Sequence, residues 1–166
     1  MGGAFSLGWP WGSRMRKRCI RKHWLPVNPI ELAISGATIT PEDALDKLRM
    51  RELAAVDAFS RGNATPHDFR DICDLLNVAE TMGRLGIGPE VLPVCATVQE
   101  SLLKAKDQYE RDGRMTLTAA GLKAMRDLYD YHDLQRTAVD RSTYERAIKR
   151  TGDRIRSAHP DVRVLA

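Results

Sequence analysis

From residue 30 onward, apolar side chains return every three or four positions, the spacing that stacks them along one face of an α-helix, with little room left for strands. The first long stripe is Leu45, Leu48, Ala55, Val56 and Phe59. Thr40 supplies an N-cap before it and Pro41 fills the first helical position. Glu42 and Asp43 follow in the turn where the helix dipole favours negative charge. Gly62 and Asn63 close this helix. The same grammar returns at Thr65, Pro66 and Asp68 and predicts a second helix from Pro66 to about Leu85. Phe69, Ile72, Leu75, Leu76, Ala79, Met82 and Gly83 share its inner face, with Gly83 admitting a close neighbour. The similarity is confined to cap positions and so reflects shared capping chemistry, not an internal repeat.

Gly86-Ile87-Gly88-Pro89 stops the second helix and opens a third, along which Cys95, Val98, Leu102, Ala105 and Tyr109 recur; Pro93 must fall in its first turn. After the Asp112-Gly113 turn a fourth helix begins near Thr118, with Leu122, Met125, Leu128, Tyr129, His132 and Val139 on its stripe. A fifth opens on Ser142 and Glu145, spaced as a capping box, and stacks Tyr144, Ile148, Thr151 and Ile155. Short connections between such helices imply antiparallel packing. The expected fold is all-α: an antiparallel bundle of four to five helices over 29–158, preceded by a flexible or loosely docked basic arm (1–28) and followed by a short tail (159–166).

Two polar residues sit where apolar ones belong. Glu52 falls at the centre of the first stripe, where an unpaired carboxylate is costly to bury, and His132 falls among Met125, Leu128 and Tyr129. Glu52 is expected to pair with a basic or donor side chain from a neighbouring helix or to be wetted by a tilt of its own helix, His132 to be a satisfied core histidine, and the two are candidates to satisfy each other. The alternative is a polar contact for a ligand or partner. The run Asp127 to Asp133 resembles a metal cluster, but helix geometry spreads its members around the cylinder. Asp68, Asp71 and Asp74 are read in the same way, as a solvated face, and no metal or cofactor is expected.

Composition changes the picture chiefly through charge. The 166-residue chain is 43% hydrophobic and 29% charged, within the globular range, with a net charge of +4. Residues 1–27 hold six basic side chains (Arg14, Arg16, Lys17, Arg18, Arg21 and Lys22) and no acidic one, so this segment is +6 and the remainder −2. Glycine, proline and tryptophan dominate residues 1–14, and Met15 is a second candidate start. Cys19, Cys73 and Cys95 form an odd set without a C-x-x-C pair, which favours neither a disulfide framework nor a zinc knuckle and fits a reducing cytoplasm. No apolar run reaches the roughly 18 residues that cross a bilayer. The order of apolar and basic residues near the start is the reverse of a secretory signal's. Met1-Gly2 with Ser6 matches the short N-myristoylation pattern, which also requires a eukaryotic host.

No G-x-S-x-G, H-E-x-x-H, P-loop or Rossmann signature is present, so a non-enzymatic role is expected. Arg16, Lys17, Arg18, Arg21 and Lys22, bracketed by Trp11 and Trp24, combine cations for phosphates with flat rings for bases, and they make the arm the candidate nucleic-acid contact. Arg146, Lys149, Arg150, Arg154, Arg156 and Arg163 form a second basic stretch. The competing readings are a basic tail that serves only solubility or docks on the protein's own acidic body, a protein-interaction module that uses the bundle surface, and an enzyme using Glu52 or His132. The last requires both residues to line one concave pocket.

Several segments resemble small helical proteins of unknown function encoded by phages and prophages. They are the basic arm with Trp24-Leu25-Pro26-Val27, the Arg61-Gly62-x-Ala64-Thr65 turn, Leu76-Asn77-Val78-Ala79-Glu80, Leu85-Gly86-Ile87-Gly88 and His132-Asp133-x-Gln135. The resemblance covers residue 16 to about 140. It implies a bacterial cytoplasmic setting, a mobile-element origin and an accessory role, which weakens the lipid-anchor pattern; the expected partner, from the residues themselves, is nucleic acid or a host protein, with no membrane. It implies no catalytic mechanism.

Overall fold

The computed structural model describes residues 42–158, and within them five helices follow one another: α1 (Glu42–Arg61), α2 (Pro66–Arg84), α3 (Val91–Asp112), α4 (Ala119–Thr137) and α5 (Arg141–Arg156). Among the described residues there is no strand; an isolated antiparallel bridge joins Ala64 to Met115. That bridge sets the α1–α2 and α3–α4 connections side by side at one end of the bundle. At the other end the Gln135 amide donates to the Ile87 carbonyl at 2.7 Å and so ties α4 to the α2–α3 connection. The expected all-α bundle is the observed fold. Thr40 and Pro41, the arm (1–28) and the tail (159–166) lie outside the described residues.

The ends are set by local chemistry. Thr65 caps α2: its side chain accepts from the Asp68 N–H at 3.3 Å, and its own N–H donates to Asp68 Oδ2 at 2.8 Å, a reciprocal capping box. Thr65→Ala should therefore lower stability by about 1 kcal/mol, seen as a drop of a few degrees in melting temperature by calorimetry. Gly62, with φ at 70°, takes the left-handed conformation that ends α1 without a Cβ clash. A Cβ on Gly83 would meet Val91 Cγ1 at 2.8 Å, so α2 and α3 approach as closely as that glycine allows.

Helix α2 is the hub. It packs against α1, α3, α4 and α5, and its seven predicted inner residues are all buried. The main core joins Val56 and Phe59 of α1, Ile72 and Leu76 of α2, Val98 and Leu102 of α3, and Met125 and Leu128 of α4. A smaller core of Met82, Tyr144 and Ala147 holds α5 onto α2. Cys73 and Cys95 are free and buried, and burial pushes both thiols up to about 12, so they behave as small core residues and not as nucleophiles.

Three local expectations are corrected. Helix α5 begins at Arg141, capped by Asp140, whose carboxylate accepts from the Thr143 N–H at 2.7 Å; Ser142 instead donates to Asp140. Tyr109, in the last turn of α3, is partly exposed rather than on the buried stripe. On α5, Ile148 is exposed and Ala147 takes the inner position.

Candidate functional site

Helix spacing places Arg49 and Glu52 one turn apart on α1, and Asp133 and Arg136 one turn apart on α4. Across the interface they form two bidentate pairs. Arg136 donates to Glu52 Oε1 at 3.1 Å and to Oε2 at 2.7 Å, while Arg49 donates to the two Asp133 oxygens at 2.9 and 3.0 Å. The Arg136 side chain is 0% exposed, so this pair is a buried ion pair in the interior, whereas Arg49–Asp133 is half-buried. Arg136 Nε lies 3.4 Å from Asp133 Oδ1 without a hydrogen bond of its own. Burial pushes the Glu52 carboxyl above its ordinary range, against the pull of Arg136. Burial likewise opposes charge on Arg136, but the hydrogen bonds and charge of Glu52 outweigh it and hold the guanidinium protonated. Burial also opposes charge on Asp133, yet Arg49 and Arg136 together hold that carboxyl below its usual range.

His132 sits beside this pair with both ring nitrogens occupied. Gln135 uses its NH2 on the Ile87 carbonyl, so its Oε1 faces His132 Nδ1 at 3.2 Å as an acceptor. Nδ1 therefore carries the proton, and Nε2 accepts from the Tyr144 hydroxyl at 3.4 Å. Burial, reinforced by the Arg136 charge, lowers the His132 pKa to about 4.

That shift has a definite sign. Below pH 6.5 the unfolded histidine takes up a proton that the folded one refuses until about pH 4. This residue's contribution is therefore complete above pH 6.5 and is lost as the pH falls from there towards 4. The loss should approach about 3 kcal/mol. Glu52, with its raised carboxyl, works in the opposite sense. Urea titrations of the protein and a His132→Gln variant at stepped pH isolate the histidine, and the variant should show the shallower fall on acidification.

The speculated Glu52–His132 hydrogen bond is not formed, because Arg136 takes one partner and Gln135 with Tyr144 takes the other. Both residues do line one groove of about 330 Å³ between α1 and α5, walled by Leu48, Leu75, Val78 and Ile148. Both carboxylate oxygens and both ring nitrogens are already directed at protein groups. The sequence reading did not single out Arg136, and it took Asp133 for part of a solvated face and gave Gln135 no partner role. Arg136 is detectable in the chain, since it lies four residues beyond His132 on the same stripe.

The two acidic runs resolve differently. Asp68 is the capping carboxylate, and Asp71, expected on a solvated face, is buried, with Arg51 at 3.4 Å. Asp127 pairs with Lys123, Asp133 with Arg49, and Asp130 is exposed. Among the described residues no three His, Cys, Asp or Glu side chains group so as to hold a metal. No described helix is long and apolar enough to cross a membrane.

Arg16, Lys17, Arg18, Arg21, Lys22 and Trp24 lie outside the described residues. Within them, charge is segregated along the chain. Residues 42–140 carry 13 basic and 18 acidic side chains, whereas α5 carries six basic and two acidic ones. Seven of those 13 cations (Arg49, Arg51, Arg61, Arg84, Lys104, Lys123 and Arg136) are in ion pairs. On α5, Arg141, Arg154 and Arg156 pair with Glu145, Glu80 and Asp153. Among the described residues Arg146, Lys149 and Arg150 are in none, and their spacing puts them on one face. Comparison with protein-family models, with curated proteins and with solved structures gives no match.

Proposed function

We propose that the protein is a non-enzymatic, phage-like accessory protein of the bacterial cytoplasm that contacts nucleic acid through its basic N-terminal arm. Arg16, Lys17, Arg18, Arg21 and Lys22 neutralise phosphates without reading sequence, and Trp24 offers a ring for stacking. The observation that carries this reading is the segregation of charge. The body up to Asp140 is net acidic, with 13 basic and 18 acidic side chains over 42–140, so the net positive charge of the chain falls in the basic N-terminal segment and in α5. The phage-like setting rests on the short segments from Trp24-Leu25-Pro26-Val27 to His132-Asp133-x-Gln135. The buried Glu52–Arg136 pair and His132 are assigned a structural role, because their polar atoms face one another and their protein partners.

The test is binding of labelled nucleic acid by the full chain and by a variant lacking residues 1–24. Loss of binding on deletion supports the arm; unchanged binding removes it from the reading. A second reading, a module that recognises a host protein through the bundle surface, is favoured by one observation: Met50 of α1 and Leu134 of α4 are 70% and 67% exposed. Such an apolar interface should tolerate both salt and loss of the arm.

A further inference from the structure

The free cations of α5 border a shallow groove of about 440 Å³ whose opposite wall is the α2–α3 connection. Arg146, Lys149 and Arg150 lie along one side, Leu85 and Ile87 along the other. Leu85 is 42% exposed, an apolar side chain left in solvent beside a row of positive charge. The acidic groups nearby are already engaged: Asp153 accepts from Arg156 at 2.6 Å, and Asp140, which Arg146 also influences, is bound to the Thr143 N–H and the Ser142 hydroxyl. The groove thus offers uncompensated cations on one wall and unsatisfied apolar surface on the other.

We infer that this groove is a binding site for single-stranded nucleic acid, which rests on the nucleic-acid reading above and narrows it. A duplex presents phosphates but keeps its base faces stacked inside, so it can use only the cationic wall. An unpaired strand presents both phosphates and flat apolar base faces, and so it can use both walls at once. A run of acidic side chains alone would match the charge but not the apolar wall. The arm and α5 then act as two separate phosphate-binding elements.

Fluorescence anisotropy with a labelled oligothymidylate about 20 nucleotides long, and with a duplex of equal length, tests the site across a salt series. The variants are Arg146→Gln/Lys149→Gln/Arg150→Gln and Leu85→Tyr in the full chain, each checked for an unchanged helical spectrum and melting temperature. The full chain should bind the single strand more tightly than the duplex. The triple variant should flatten the slope of log K against log salt by about 2 on the single strand, at roughly 0.7 for each phosphate no longer neutralised. Leu85→Tyr, which adds a stacking ring to the apolar wall, should tighten the single strand and leave the duplex unchanged.

If binding requires the arm but the triple variant keeps the parent slope, the α5 site is wrong while the nucleic-acid reading stands. Failure of the full chain to bind either probe at low salt removes both. Competition by polyglutamate as effective as by the oligonucleotide, with no gain from Leu85→Tyr, would make the groove an acidic-protein contact and overturn the inference.

Discussion

Arg136→Met should lower the unfolding free energy by about 3–5 kcal/mol, because it strands the Glu52 carboxylate in the interior without its cation. The guanidinium is fully enclosed and supplies both hydrogen bonds to that carboxylate, at 3.1 and 2.7 Å. Glu52→Leu alone should be costly for the converse reason. The double variant Glu52→Leu/Arg136→Met should recover most of the loss, since an apolar pair of similar volume meets neither desolvation nor unmatched charge. Urea denaturation followed by circular dichroism measures all three, and the coupling between the single changes gives the interaction directly. Near-additive losses would mean that the two residues do not depend on each other.

The same pair marks the limit of what the chain discloses about itself. Glu52 is legible as an anomaly because its position on a period-3.6 stripe requires only its own helix. His132 is legible for the same reason. The identity of the cation is not, since the pairing spans 84 residues and is set by how α1 and α4 are rotated against each other. Thr65 with Asp68, and Gly83, are readable because a cap involves four neighbouring residues and a stripe is periodic. The start of α5 is ambiguous in the chain because Asp140 and Ser142 are both good cap types, and only the built backbone decides which carboxylate or hydroxyl reaches the Thr143 N–H. Asp71 looks solvated in sequence because its burial comes from contact between α1 and α2, where Arg51 meets it, and not from any pattern within α2.

Charge segregation, by contrast, is visible in the sequence but acquires meaning only once the ion pairs are placed. A count of basic residues does not separate Arg84, spent on Glu80 at 2.6 Å, from Lys149, which pairs with no described residue. Deleting residues 1–24 removes six cations that face no acidic neighbour in sequence. For a protein held to phosphates by about six such cations, affinity should fall roughly a thousandfold between about 50 and 200 mM salt. The truncated chain should retain only the weaker, shallower salt response that α5 supplies. An unchanged helical spectrum and melting temperature of the truncated chain check that the cores joining α1 to α5 persist.

The decisive measurement is the slope of log K against log salt for the full chain on a duplex. Phosphate neutralisation by the arm contributes about −5 to that slope, at about −0.9 per phosphate, and the truncated protein should lose that contribution. A slope near zero, or one that deletion of residues 1–24 leaves unchanged, contradicts nucleic-acid contact through the basic arm.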